Sequence, residues 1–404
     1  MQIEQLGKLD SAPAVLRRLA TACARLGLPQ PAALIGEWFG SSAVIAPSVA
    51  IAPVDPIAAF DVPAGSGAAV GGGWFGYLSY PDDGADGRPP RIPAAAGGWS
   101  DCVLRQDRNE NWWYESLSNE PMPTWLSAAL ESSVPQQYWH IDWADADRQT
   151  HQRGVRECLE AIAAGEIYQA CVCTQFRGEL TGDPIDFFVT AAERTVPAKA
   201  AFLAGDWGAV ASLSPELFLR RSGEMVTSSP IKGTLPLALP PSALASSVKD
   251  VAENIMIVDL VRNDLGRVAR TGSVTVPELL AVRPAPGVWH LVSTVQASVD
   301  PAVPMHEILS ATFPPASVTG TPKSRARRLL TEWEPVRRGI YCGAIGLASP
   351  AAGTELNVAI RTVEFTAEGV AVFGVGGGIT ADSDPDAEWQ ECLHKAAPTI
   401  GLHG

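Results

Sequence analysis

Two short segments carry the titratable groups from which a displacement reaction could be built. Ser214-Pro215-Glu216-Leu217-Phe218 offers one carboxyl group, and Ser229-Pro230-Ile231-Lys232-Gly233-Thr234 offers one amine. Each sits where a strand edge or turn is expected, so the two could converge as a proton donor and an amine nucleophile. A lysine amine has an unperturbed pKa of ~10.4, and attack at neutral pH needs burial or nearby positive charge to depress it. Taken singly, Lys232 reads as a surface turn lysine and Glu216 as an exposed carboxylate.

A second constellation is two helices that bear carboxylates. Lys249-Asp250-Val251-Ala252-Glu253-Asn254 opens one of them, and its later residues are apolar. Asp384-Pro385-Asp386-Ala387-Glu388-Trp389-Gln390-Glu391 opens the other, with Asp384 placed to cap it and Pro385 in the first turn. Glu388 and Glu391 are three apart and share a face, with Lys395 one turn further on. Carboxylates from two helices, joined by substrate oxygens and water, suit an octahedral magnesium ion. The plain alternative is two solvated acidic faces. A third feature is Gly376-Gly377-Gly378, expected just after a strand, where bare backbone amides could face an anion. It is not the GxGxxG of a dinucleotide fold. Gly320-Thr321-Pro322-Lys323-Ser324 is a poor phosphate loop, with Pro322 inside it and no upstream glycine.

The elements that must position these groups alternate between strand and helix. A helix is expected over 145–164, where Val155, Cys158, Leu159 and Ile162 form one apolar stripe. Strands are expected over 167–176, 209–213, 217–220 and 343–347, and a hairpin from 358–365 with 370–373. Further helices are expected near 248–264, 303–311, 322–332 and 385–397. The mixture indicates an α+β fold. Residues 1–115 read as a turn-rich, β-rich part of the same body. Residues 116–145 read as a connecting region, and 146–404 as the catalytic region.

Composition narrows the class. The chain has 404 residues, 46% of them hydrophobic and 18% charged, which suits a folded protein with a sizeable core. A formal charge of −14 without a basic stripe argues against nucleic acid as a partner. The short run Lys323-Ser324-Arg325-Ala326-Arg327-Arg328 reads as a solvated helix face. Seven scattered cysteines show no CxxC spacing, so neither zinc nor a disulfide framework is expected. No apolar run approaches the ~20 residues that span a bilayer. The first residues lack the pattern of a signal peptide. A cytoplasmic enzyme, not a membrane protein, is the expectation.

Read together, these segments resemble the chorismate-utilising enzyme family, which includes anthranilate, isochorismate, salicylate and aminodeoxychorismate synthases. The matching residues are Gly165-Glu166-Ile167-Tyr168-Gln169, Ser214-Pro215-Glu216, Pro230-Ile231-Lys232-Gly233-Thr234 and Ala252-Glu253-Asn254, then Asp259-Leu260-Val261-Arg262-Asn263-Asp264-Leu265-Gly266-Arg267. His290-Leu291-Val292-Ser293-Thr294, Thr319-Gly320-Thr321-Pro322-Lys323, Gly339-Ile340-Tyr341-Cys342-Gly343-Ala344, Ile360-Arg361-Thr362 and residues 376–391 follow in family order. The N-terminal part matches through Gly72-Gly73-Trp74-Phe75-Gly76-Tyr77.

The resemblance implies one α+β body with two facing antiparallel-rich sheets, helices outside, and the site between the sheets. It implies magnesium (Mg2+) on Glu253 and Glu391, with Glu388 nearby, bridging to the ring carboxylate of chorismate. Arg361 and Tyr341 would hold the enolpyruvyl carboxylate, helped by amides around Gly376, Gly377 and Gly378. His290, Thr319 and Lys395 would line the ring and its carboxylate. Gln169 stands where water-using members have a general-base lysine, and an amide cannot take a proton from water. Lys232 stands where anthranilate synthases usually have alanine, and lysine there is typical of the aminodeoxychorismate synthases that begin p-aminobenzoate synthesis for folate. In that branch Lys232 attacks ring carbon C2 while Glu216 protonates the departing C4 hydroxyl. Ammonia then displaces the lysine by adding at C4. No glutaminase segment is visible, so ammonia is expected from a glutamine amidotransferase partner. The alternatives are an anthranilate synthase large subunit, and a catalytically silent scaffold for an amidotransferase.

Overall fold

The computed structural model describes residues 1–81 and 88–404. Strands with alternating side chains build two large antiparallel sheets among the described residues. The first has twelve strands. Its central run is Ala32–Trp38, Lys199–Gly205, Gly208–Ser214, Thr362–Thr366, Val370–Ile379 and Gln169–Thr181. The second has ten, running from Ile231–Pro236 through Val288–Ser298, Met225–Ser229, Leu217–Ser222, Gly353–Val358 and Ala344–Ser349 to Gly73–Leu78. The N-terminal part contributes to both, through Ser41–Ala46 in the first and Gly73–Leu78 in the second. The 116–145 segment contains a helix, Thr124–Glu131, and a strand, His140–Ala144.

Period-two alternation decides the layers. In Lys199–Gly205, Ala200 and Phe202 join a core beneath the helices Ala12–Leu26 and Pro184–Thr195. Ala201 and Leu203 point the other way and meet Phe75, Tyr77, Ile345 and Leu347 of the second sheet. The sheets therefore face each other across an apolar layer, with helices outside both. Val248–Gly266 and Met305–Thr312 cover the second sheet through Ile257, Val261, Leu265, Ile308 and Leu309.

The chain passes between the sheets twice near the candidate site. Gly208–Ser214 lies in the first sheet and Leu217–Ser222 in the second, leaving Pro215 and Glu216 as the crossing. Gly353–Val358 lies in the second and Thr362–Thr366 in the first, with Ala359, Ile360 and Arg361 between. The crossings bind each other: Val358 N donates to Glu216 O at 3.0 Å, and Leu213 N to Arg361 O at 2.9 Å.

This corrects two sequence expectations. Residues 358–365 are not one strand, because the chain changes sheets at 359–361; the hairpin is Thr362–Thr366 with Val370–Ile379, paired at Val363 and Phe373. The three glycines are not a loop after that strand but lie inside it, opposite Cys171, Val172 and Cys173. The expected helices form as Arg148–Ala163, Val248–Gly266, Met305–Thr312, Lys323–Trp333 and Pro385–Ile400. The basic run is also not a uniform solvated face. Lys323 is folded inward, donating to Asp264 Oδ2 at 2.6 Å and to the carbonyls of Thr312 and Pro314. All seven cysteines are free, and no helix among the described residues is long and apolar enough to cross a membrane.

Candidate active site

Glu216 is positioned by the first crossing, where Pro215 ends one strand and the carboxyl turns inward at 3% exposure. Burial pushes its pKa up to about 7, against the opposing pull of a hydrogen bond with Ser317, the charge of Lys232 and the Ile231 amide. A carboxyl so placed still carries a proton near neutrality. This is the property a general acid needs.

Lys232 is aimed by a bulge. The pairing of Ile231–Pro236 with Val288–Ser298 slips between Ile231 and Thr234, and Gly233 takes a φ of 85° that favours glycine. The extra residue re-aims the side chain off the regular pleat. A Cβ placed on Gly378 would lie 3.2 Å from Lys232 Nζ, 3.7 Å from Glu253 Oε2 and 3.9 Å from Gln169 Oε1. The amine therefore stands among these groups, under the bare strand of the opposite sheet. Its charge acts on Glu216, Glu253 and Glu391 alike. Neither plain reading survives: Glu216 is buried, and Lys232 lies half-buried in a strand.

The two carboxylate helices meet at this point. Ser247 caps Val248–Gly266, and buried Asn254 ties it to the Val288–Ser298 strand, accepting from Ser293 Oγ at 2.5 Å and donating to Leu291 O at 3.1 Å. Asp384 caps Pro385–Ile400. Glu388 and Glu391 approach Gly377, where a Cβ would lie 2.7 Å from Glu388 Oε2 and 3.7 Å from Glu391 Oε1. Lys249 Nζ lies 4.0 Å from Glu253 Oε1 and 3.8 Å from Glu388 Oε1, so Glu253 and Glu388 share one cation. Burial raises the pKa of Glu253 despite Lys232 and Lys249. Burial also acts to raise that of Glu391, but Lys395, Lys249 and Lys232 together pull it below the usual carboxylate value.

These residues fit a hard divalent cation. Glu388 is buried, and its Oε2 has no hydrogen-bond partner among the described residues. Three carboxylates on two helices supply only oxygen donors, and the glycine strand leaves the space beside them open. Among the described residues no three acidic, His or Cys groups close into a ready-made cage. Magnesium does not require one, since one or two carboxylates with water and substrate oxygens are its usual set.

The remaining residues expected at the site lie on neighbouring elements. Arg361 occupies the second crossing at a φ of 51°, a left-handed conformation costly for any non-glycine residue. Its side chain is exposed by area, yet burial lowers its pKa, and no carboxylate among the described residues pairs with it. His290 is pushed down to about 4 by burial and by Arg361, against a hydrogen bond to the Gly233 backbone, so its imidazole is neutral. Its Nδ1 meets Thr234 Oγ1 at 3.1 Å, and its Nε2 has no partner among the described residues.

Tyr341 is buried and its phenol held protonated by burial. Its ring lies against Gly374, where any Cβ would collide with it. Lys395 reaches back to Glu391 Oε1 at 2.7 Å and Gly376 O at 2.8 Å. Gln169 is buried, and its Oε1 has no hydrogen-bond partner among the described residues. Thr319 is buried beside it, its hydroxyl bound to Pro315 O and its carbonyl to the Cys171 amide.

Glycine strand, lysines, glutamates and Gln169 thus come together, and His290 and Arg361 act on one another. Sequence reasoning passed over Lys249, Asn254, Ser317 and Ser383. Lys249 and Asn254 flank Glu253 in the quoted helix, and a lysine in a helix's first turn was a legible oddity. Ser317 and Ser383, which donates to Glu388 Oε1 at 2.7 Å, carried no signal apart from their neighbours.

Comparison with known proteins shows which family the chain resembles in sequence and fold. The chorismate binding enzyme family matches residues 49–401. The chain is 41% identical over 263 residues to aminodeoxychorismate synthase component 1 of Escherichia coli, a match covering 63% of this chain and 58% of that protein. It is 32% identical over 346 residues to an anthranilate synthase component I-like protein of Synechocystis, covering 80% and 71%. The crystal structure of anthranilate synthase component I from Streptococcus pneumoniae superposes with a TM-score of 0.73 at 26% identity, covering 92% of this chain and 90% of that one. The match to the Escherichia coli protein thus spans less than two thirds of that protein's length.

Proposed function

The chain belongs to the chorismate binding enzyme family, and from that premise we propose that it aminates chorismate at C4 to give 4-amino-4-deoxychorismate. The observation that carries this reading is Lys232 standing among Gln169, Glu253 and the bare Gly378, with its charge felt by a buried Glu216. Lys232 first releases its ammonium proton to solvent, and the free amine then forms a bond to C2 as the ring double bond shifts and the C4–oxygen bond breaks. Glu216 gives its proton to the departing hydroxyl, which leaves as water. Ammonia then bonds to C4, the lysine–C2 bond breaks, and a proton from the new ammonium returns to Glu216. The enolpyruvyl ether is untouched.

The remaining residues bind and orient. Arg361 and Tyr341 take the enolpyruvyl carboxylate, supported by the strand around Gly376 and Gly377. Neutral His290, Thr319 and Lys395 line the ring and its carboxylate. Glu253, Glu391 and Glu388 would hold magnesium, which when bound supplies Lewis-acid neutralisation of the ring carboxylate. Gln169 offers no base for water, which keeps hydration of the ring from competing. A glutamine amidotransferase subunit supplies ammonia in this reading, supported by the designation of the Escherichia coli relative as a component 1. The product leads toward p-aminobenzoate and folate or a related specialised compound.

A second reading follows from the anthranilate synthase relatives: amination at C2 with loss of pyruvate. The two separate at Lys232 and can be told apart by product. With chorismate, ammonium and magnesium, mass spectrometry should find an aminated product that keeps the enolpyruvyl group. Lys232→Ala should abolish any covalent adduct in intact-mass spectra and slow turnover by about 100-fold or more. Fluorescent anthranilate as the accumulating product would establish the second reading instead.

A further inference from the structure

Three lysine ammonium groups face the three carboxylates, and they are not equivalent. Lys395 is anchored by two short bonds, to Glu391 and the Gly376 carbonyl. Lys232 is directed by the bulge at Gly233. Lys249 has neither restraint. Its contacts of 4.0 Å to Glu253 Oε1 and 3.8 Å to Glu388 Oε1 exceed hydrogen-bond range, and its side chain is 51% exposed.

Its position in the chain also works against it. Lys249 is the second residue after the Ser247 cap, in the first turn of its helix, where the helix dipole disfavours a cation. Its neighbour Val248 is 85% exposed and offers no packing to hold that turn. What draws Lys249 inward is a pair of carboxylates, Glu253 one turn on in its own helix and Glu388 on the helix Pro385–Ile400. One of them, Glu388, is 3% exposed, with Oε1 bound to Ser383 and Oε2 left without a partner.

We propose that Lys249 is a displaceable stand-in for the metal. Its ammonium neutralises Glu253 and Glu388 while no divalent cation is bound, and it swings out to solvent when one enters. This rests on the reading that Glu253, Glu388 and Glu391 hold magnesium. A long, half-exposed ion pair is weak, so its release costs little. A tethered cation competes with a free one for the same oxygens. Removing it should therefore tighten magnesium binding and unsettle only the metal-free protein, whereas a merely structural lysine would support both forms equally.

The test is calorimetric titration of magnesium chloride into the chorismate-free protein, with thermal midpoints measured with and without the ion. Lys249→Met should bind magnesium at least threefold more tightly than wild type. Its midpoint should fall without magnesium and equal that of wild type at saturation. Lys249→Arg, whose planar fork can grip both carboxylates, should bind magnesium at least threefold more weakly. Equal or weaker binding by Lys249→Met, or an equal loss of stability with and without the ion, overturns the proposal. Wild-type protein that takes up no magnesium refutes the metal reading instead, and an unchanged metal-free midpoint in Lys249→Met would then overturn the counter-cation role separately.

Discussion

Glu216 and Arg361 show how a crossing between sheets sets the chemistry of a single side chain. Glu216 has its pKa raised to about 7 by burial, so it loses its proton as pH rises through that value. Turnover should therefore decline above about pH 7 in the wild type. Glu216→Gln should be about 10²–10⁴-fold slower and should lack that alkaline limb, as rate profiles across pH would show. The same shift bears on stability. Folded protein keeps a proton that the unfolded chain releases, so this group's contribution is complete below the ordinary value of 4.5 and is lost as pH rises through about 7. Arg361 exchanges backbone ease for position. A left-handed residue costs about 1–2 kcal/mol, which Arg361→Gly would recover while glycine's added chain entropy offsets part of it. The thermal midpoint of Arg361→Gly should stay level or rise, and the KM for chorismate should climb at least tenfold.

The glycine strand shows an element doing what no loop could. Val370–Ile379 is paired with Gln169–Thr181 along its length, while Thr362–Thr366 leaves it after Phe373. Its position is thus held by one neighbour, and its bare face meets the carboxylate helices. Gly377 is needed because a Cβ would stand 2.7 Å from Glu388 Oε2. Gly377→Ala should keep the far-ultraviolet spectrum of the wild type but raise the magnesium concentration for half-maximal activity by about tenfold, roughly 1.4 kcal/mol of cation affinity. Activity titrated against magnesium at saturating chorismate would decide it. A strand was expected to end before these glycines because triple glycine is poor strand material. The sheet partner and the requirement for close approach outweighed that local preference.

At the level of the whole molecule, an acidic chain gathers part of its cationic charge inside. The net charge is −14, yet Lys232 and Lys395 stand among the carboxylates of the two helices, and Lys323 is drawn into the body by Asp264. That last pair is 16% and 7% exposed at its two side chains. It joins the Val248–Gly266 helix to the Lys323–Trp333 helix behind the site. Asp264→Ala would strand a buried ammonium and should cost about 3–5 kcal/mol in denaturant unfolding. Pairing it with Lys323→Met should return most of that loss, since an apolar pair of similar volume avoids the desolvation.

The helices, the mixed α+β character and the sets of reactive residues were legible in the chain because they depend on neighbours in sequence: caps such as Asp384, apolar stripes, and carboxylates one turn apart. The motifs also carried the family. What local order could not reveal was where the chain changes sheets, since 358–365 reads as one continuous strand until two separate sheets claim its halves. Nor could it reveal that Glu216 is buried, that the three glycines are paired, or that Lys249 stands between helices far apart in sequence. Those are long-range facts. Burial, register and electrostatic partnership arise only when distant segments pack, and they convert an ordinary lysine and an ordinary glutamate into a facing pair.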